Sequence, residues 1–129
     1  MHYKNFILNY IMLVIIQART SSKRFPKKVL YKINFIPLII RVVNNILKSN
    51  LVSNLIIATS KEKTDDRLVR LIKKFNINFY RGSLHNVALR MLKVAQKNNA
   101  KHFIRISGDS PLIDNKIINR AIKTVKKNK

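Results

Sequence analysis

The feature that most constrains the fold is a continuous apolar run, residues 12–16, that ends abruptly in a polar and basic loop. The run reads Met-Leu-Val-Ile-Ile, and its β-branched residues predict a strand that is buried on both faces, as in a parallel sheet. The loop opens with Gln17-Ala18-Arg19 and goes on to Arg24 and Lys28. Backbone N–H groups in such a loop surround phosphate oxygens, and Arg and Lys side chains neutralise their charge. The stretch therefore predicts a phosphate-binding loop at the end of the first strand.

Alternating strand and helix patterns follow this loop to the end of the chain. Apolar runs predict three further strands, at 55–59, 78–80 and 102–106. Apolar residues at helical spacing predict four helices, over 38–49, 65–75, 86–98 and 117–127. Thr64 or Asp65 is suited to cap the second helix, and Asp114 the last one. Strands that alternate with helices predict an α/β fold, with a mostly parallel sheet and helices on both of its faces.

The loops that follow the predicted strands carry the polar residues that could form a site. They span residues 17–28, 59–66, 81–86 and 107–114. Ligands of open parallel sheets bind beyond the carboxyl ends of the strands, where such loops converge. We therefore expect one site, built from all four loops.

The composition allows two interpretations of the strong positive charge. The 129 residues include 27 Lys and Arg against 5 Asp and Glu, for a formal net charge of +22. An anionic partner such as a nucleotide or a nucleic acid would explain it. A bias in composition would explain it as well, because the cations are spread along the whole chain. The chain has no helix-turn-helix, RNP or zinc pattern that favours nucleic acid, and it has no cysteine.

Three motifs resemble one known family. The first is Ile15–Arg19 followed by Ser22-x-Arg24-Phe25-Pro26-x-Lys28-Val29-Leu30, and the second is Arg105-Ile106-Ser107-Gly108-Asp109-Ser110-Pro111. The third is Arg81-Gly82-Ser83-x-x-Asn86-Val87-x-x-Arg90. Together they resemble the N-terminal half of the sugar-activating cytidylyltransferases, which include acylneuraminate cytidylyltransferases and the branch named after the spore coat polysaccharide biosynthesis protein SpsF. The first loop of that branch has Gly where this chain has Ser21 and Lys27.

The resemblance implies a fold and an activity. The fold is the Rossmann-like fold of the nucleotide-diphospho-sugar transferases, here truncated, with residues 12–129 as its nucleotide-binding part and residues 1–11 as an N-terminal extension. The activity is transfer of CMP from CTP to a sugar, for surface-polysaccharide or glycan biosynthesis, in the cytoplasm and with Mg²⁺ as cofactor. The alternatives are a truncated, inactive copy that binds nucleotide and a basic nucleic-acid-binding protein.

The resemblance also implies roles for individual residues. It assigns the catalytic contacts with the triphosphate to Arg19, Arg24 and Lys28, and the contact with the metal to Asp109. The implied nucleotide-binding residues are Gln17, Ala18, Arg19, Ser22, Lys28, Thr59, Arg81, Gly82, Ser83 and Gly108. The structural alternatives are a solvated basic loop for the cations and a turn cap for Asp109.

The family continues beyond the part that this chain matches. Its second half normally supplies further strands, the acceptor-sugar pocket, a dimer surface and another acidic metal ligand. We therefore expect residues 1–129 alone to bind CTP weakly and to release no pyrophosphate. We also expect the chain to associate with a second copy or with the missing half, and not with a membrane.

Overall fold

A computed structural model describes residues 12–128. The predicted extension, residues 1–11, lies outside the described residues. The strands are β1 (Met12–Gln17), β2 (Lys32–Ile33), β3 (Ile36–Pro37), β4 (Val52–Ser60), β5 (Asn78–Gly82) and β6 (Phe103–Ser107). The α-helices are α1 (Leu38–Leu47), α2 (Asp66–Lys74), α3 (Val87–Lys97) and α4 (Asn115–Lys127).

Four of the strands form one parallel sheet in the order β5-β4-β1-β6. β1 is paired on both sides, with Leu13 opposite Asn54 of β4 and Phe103 of β6. A strand in this position faces no water on either edge or face, which explains why its sequence is apolar without alternation. The prediction of a mostly parallel α/β sheet is confirmed.

The two faces of β1 are covered by different helices. Val14 and Ile16 belong to a core with Ile39 of α1, Leu68 of α2 and Ile118 of α4. On the opposite face, β1 and β4 pack against α3, through the cluster Leu13, Ile15, Ile56, Ala58, Met91 and Val94. Each fully buried Ile contributes about 1.5–3 kcal/mol through apolar burial. Helices therefore lie on both faces, as predicted.

Two strands are longer than their apolar runs predicted. β4 begins at Val52, and β5 continues through Arg81 to Gly82, which pair with Thr59 and Ser60. The predicted loops at 59–66 and 81–86 therefore begin inside the sheet. Polar residues are accepted there because main-chain pairing does not depend on the side chain.

A short hairpin between β1 and α1 was not predicted. β2 and β3 pair antiparallel, and the two residues between them, Asn34 and Phe35, both have positive φ, at 48° and 66°. Such turns usually contain glycine, which has no Cβ to clash in this conformation. Because neither residue of this turn is glycine, the hairpin could not be predicted from the sequence. Across residues 12–128, no helix has the length and apolar character needed to cross a bilayer.

Candidate functional site

The carboxyl ends of β1 and β6 enclose a cavity of about 180 Å³. These strands are parallel neighbours, so Gln17 and Ser107 end side by side and their loops open on the same side. The cavity is lined by Gln17, Ala18, Arg19, Ser22, Lys28, Val29, Ser107, Gly108 and Asp109. All of these except Val29 and Ser107 are residues to which the sequence assigned a role. The structure thus brings the first and last predicted loops together, as the argument from strand ends expected.

Gly108 allows the two strand ends to approach closely. A Cβ on this residue would lie 2.9 Å from the Cβ of Ala18 and 3.0 Å from the carbonyl oxygen of Gln17. The Gly108 N–H donates to that same carbonyl at 2.8 Å. Any side chain would force β6 away from β1, so glycine here fixes the position of Asp109.

Asp109 is held between a hydroxyl and a cation at the cavity mouth. Its Oδ1 accepts from the Ser107 hydroxyl at 2.5 Å, and its Oδ2 lies 3.4 Å from Nζ of Lys28. The Ser107 hydrogen bond, and then the hydrogen bond and charge of Lys28, hold the pKa of Asp109 below its ordinary value, against an opposing effect of burial. The carboxyl is therefore an anion at neutral pH.

This single carboxylate fits a magnesium ion that is shared with a ligand. The described residues contain no group of three metal-ligating side chains. Mg²⁺ keeps several waters and is commonly bound by one or two carboxylates together with substrate phosphates. Asp109 is partly exposed beside Lys28, so it meets that requirement in the presence of phosphate and would not form an all-protein cage.

The first loop is closed by its own backbone. The N–H of Lys27 donates to the carbonyl oxygen of Thr20 at 2.8 Å, and a single 3₁₀ turn over Lys28–Leu30 follows. Lys27 has φ of 59°, the left-handed conformation. It stands where the resembling family has Gly. The loop thus keeps a glycine-type conformation at a cost of about 1–2 kcal/mol for an L-residue.

A second cavity, of about 390 Å³, separates the first loop from the loop after β5. Its lining residues are Arg19, Ser21, Ser22, Lys23, Arg24, Leu84 and His85. Arg19 and Ser22 border both cavities, whereas Arg24 borders only this one. Three cations, Arg19, Lys23 and Arg24, therefore line a space that shares Arg19 and Ser22 with the first cavity.

The remaining predicted nucleotide-binding residues line neither cavity. The Arg81 guanidinium donates to the carbonyl oxygens of Ser60 at 2.8 Å and Glu62 at 2.9 Å, and it pairs with Asp66 at 2.8 Å. Ser83 accepts from the N–H of Asn86, at the start of α3. Thr59 and Gly82 are buried at the ends of β4 and β5. In this structure these residues support the loops after β4 and β5 and do not face either cavity.

Asp65 has a role that the sequence did not predict. It occupies the N-cap position of α2, but its side chain makes no capping hydrogen bond, so the predicted cap is wrong. The carboxylate is buried and accepts from Thr20 of the first loop and from the Ser60 hydroxyl. Burial works to raise its pKa, but the hydrogen bonds from Ser60 and Thr20 outweigh it, so the pKa lies below its ordinary value. Asp114, in contrast, caps α4 as predicted, by accepting from the N–H of Ile117 at 2.9 Å.

Arg90 is the second residue without a predicted role, although the third motif contains it. Its side chain is 1% exposed, and one nitrogen, Nη1, donates to the carbonyl oxygen of Ser83 at 2.8 Å. Its Nε and Nη2 have no hydrogen-bond partner among the described residues. Burial lowers the pKa of Arg90, the charge of Asp65 opposes this, and the charges of Arg19 and Arg105 add to it. A buried cation thus lies beneath the loops, within electrostatic reach of Asp65 and Arg19.

Comparisons by family profile, by sequence and by structure all find the same family. The profile of a family described as cytidylyltransferase matches residues 13–129. The spore coat polysaccharide biosynthesis protein SpsF of Bacillus subtilis is 34% identical over 116 residues, which cover 87% of this chain and 48% of that protein. A cytidylyltransferase structure from Leptospira borgpetersenii matches with a TM-score of 0.85 at 28% identity, over 92% of this chain and 50% of that one.

A structure of CMP:2-keto-3-deoxy-manno-octonic acid synthetase complexed with CTP matches with a TM-score of 0.80 at 25% identity. That match covers 90% of this chain and 48% of the synthetase. The chain spans about half the length of the curated relatives it matches.

Proposed function

The chain belongs to the cytidylyltransferase family, and from that premise we propose that it binds CTP for transfer of CMP to a sugar in surface-polysaccharide or glycan biosynthesis. The observation that carries the proposal is the cavity between β1 and β6, which joins Arg19, Lys28 and Asp109 in one place. Two cations and one carboxylate around a small polar cavity suit a triphosphate with its divalent cation. A sugar-nucleotide activity agrees with the names of the relatives.

The proposed reaction is a phosphoryl-group displacement. A sugar hydroxyl loses its proton to solvent, its oxygen forms a bond to the α-phosphorus of CTP, the bond from that phosphorus to the bridging oxygen breaks, and pyrophosphate leaves with the electron pair. Arg19 and Lys28 would neutralise the negative charge that grows on the phosphate oxygens. Asp109 would hold Mg²⁺, which supplies additional charge neutralisation when bound. Arg24, on the second cavity, would contact a part of the ligand that extends from the first.

Holding an acceptor oxygen in line with the leaving group requires its own pocket, and the two cavities described here are assigned to the nucleotide. We propose that the acceptor contacts come from a second half of the protein or from a second copy of the chain, and that the reaction takes place in the cytoplasm.

Thermal unfolding with nucleotides tests the proposed binding. A ligand that binds only the folded chain raises the melting temperature by mass action. We expect CTP with Mg²⁺ to raise it more than ATP or GTP does at equal concentration. Equal shifts with all nucleotides, together with a steep decrease of the shift in salt, would instead indicate non-specific attraction to a basic protein.

A pair of charge variants makes this test specific to the site. Lys28→Gln removes a cation that lines the first cavity, whereas Lys123→Gln removes an exposed cation on α4. Both lower the net charge equally. We expect only Lys28→Gln to reduce the CTP-dependent shift, and equal losses from both variants would refute the placement of the phosphates in this cavity.

A further inference from the structure

We propose that Asp65 is a positioning residue, which fixes the backbone of the first loop at Thr20 and thereby sets the positions of Arg19 and Lys28. The inference deepens the proposed function, because it assigns a residue to the same nucleotide site. Asp65 touches neither cavity, so it would act through the loop and not on the ligand itself.

The hydrogen bonds of Thr20 carry the first step. The Thr20 N–H donates to Oδ1 of Asp65 at 2.7 Å, and the Thr20 hydroxyl lies 2.8 Å from the same oxygen. That hydroxyl also lies 2.7 Å from the carbonyl oxygen of Thr64. On the other side of Arg19, the N–H of Ala18 donates to the carbonyl oxygen of Ala58 at 3.2 Å. The backbone that carries Arg19 is therefore held on both sides to the end of β4 and the residues after it.

Thr20 passes this restraint to the far end of the loop. Its carbonyl oxygen accepts from the N–H of Lys27 at 2.8 Å. Lys28, whose Nζ faces Asp109, is the next residue. One residue, Thr20, thus connects Asp65 to the backbone next to both cavity-lining cations. Thr20 is 4% exposed and Asp65 is fully buried, so water does not compete for these bonds.

The carboxylate is suited to this position because it accepts from several donors at once. The Thr20 N–H donates to Oδ1 and the Ser60 hydroxyl donates to Oδ2, while the single proton of the Thr20 hydroxyl is shared between Oδ1 and the carbonyl oxygen of Thr64. The buried Arg90 guanidinium adds a favourable charge at longer range. A buried carboxylate with fewer partners would be strongly destabilising. Asp65 makes no capping hydrogen bond to α2. Its side chain instead joins Thr20 of the first loop to Ser60 at the end of β4.

Hydrogen exchange without nucleotide is the first measurement, because it does not depend on the proposed function. Asp65→Ala removes the acceptor, Asp65→Asn keeps one acceptor oxygen of the same shape, and Thr20→Val removes only the hydroxyl. The control is Ile122→Val, at a buried core position of α4, which lowers stability and removes none of the hydrogen bonds of the loop. We expect the hydrogen-bonded amides of the loop, those of Thr20 and Lys27, to exchange about tenfold faster in Asp65→Ala. We expect a smaller increase in Asp65→Asn and Thr20→Val, and none confined to the loop in the control.

The affinity for CTP with Mg²⁺, measured by calorimetry below the unfolding transition, is the second measurement. We expect an increase in Kd of about tenfold for Asp65→Ala, with partial recovery in Asp65→Asn. If Asp65→Ala does not fold, Thr20→Val against Thr20→Ser makes the same comparison from the other side of the hydrogen bond. Variants that lose stability but keep wild-type loop exchange and wild-type affinity would overturn the proposal. Faster loop exchange in Asp65→Ala, together with no CTP binding by the wild-type chain, would overturn the proposed function and leave the loop restraint standing.

Discussion

Replacing Gly108 by alanine should destabilise the chain by about 2 kcal/mol. The new Cβ would meet the Ala18 Cβ at 2.9 Å and the Gln17 carbonyl oxygen at 3.0 Å; Gln17 ends β1, which is paired on each side, and Ala18 is the next residue. Overpacking against atoms that cannot move costs about 1–3 kcal/mol. The hydrogen bond from Gly108 to Gln17 is lost with the same displacement, for about 1 kcal/mol. Alanine restricts the unfolded chain more than glycine does, which offsets about 0.4–1 kcal/mol of this loss of stability.

Urea and thermal unfolding at neutral pH measure this effect. A loss of about 2 kcal/mol lowers the melting temperature by about 8 °C in a domain of this length. Gly82→Ala is the matched control, because its Cβ would meet side-chain atoms, Cε1 of Tyr80 at 2.8 Å and Cγ of Arg90 at 3.0 Å. Side chains yield more easily than a paired strand, so we expect a smaller loss there. Wild-type stability in Gly108→Ala, or a larger loss in Gly82→Ala, would refute the role of Gly108 in closing β6 onto β1.

Three further predictions concern the charged residues of the site. Asp109→Asn should abolish the Mg²⁺-dependent part of CTP binding and leave the melting temperature of the free chain nearly unchanged; a loss of stability with metal dependence retained would instead make Asp109 a structural turn residue. Lys27→Gly should stabilise the chain by up to about 1 kcal/mol in urea unfolding, because the left-handed φ of 59° strains lysine and not glycine. The lowered pKa of Asp65 predicts stability that is present above about pH 4, near the unfolded-state pKa, and lost as the pH falls through the folded-state value. Urea midpoints between pH 6 and pH 3 should therefore decrease, and less steeply in Asp65→Asn; an unchanged slope in that variant would count against the buried carboxylate as a source.

The sequence predicted the cavity well because its residues follow from two local signals. The apolar runs identified β1 and β6 as buried strands, and parallel strands place their terminal loops at one edge. Gln17, Arg19 and Gly108 could therefore be placed at that edge without knowledge of side-chain contacts. The family resemblance added the chemical roles, which stay predictions.

The roles of Asp65 and Arg90 could not be predicted in the same way. Asp65 contacts Thr20 across 45 positions in the sequence, and nothing near either residue indicates that contact. An Asp directly before a helix most often caps it, so the local sequence favoured a capping role for Asp65, which is wrong. The composition does not single out Asp65 among the 5 acidic residues, so its burial is known only from the structure.

The strand order β5-β4-β1-β6 has a consequence for how the site matures during synthesis. The cavity lies between β1 and β6, and Gln17 and Ser107 are opposite each other although 90 positions separate them (107 − 17). A ribosome adds about 5–20 residues per second, so β1 waits roughly 5–18 s for the strand that completes the cavity. β4, which supplies the other neighbour of β1, and Asp65, which accepts from Thr20, are synthesised much earlier. The contacts that restrain the first loop are therefore available before β6, which closes the proposed nucleotide site, has been made.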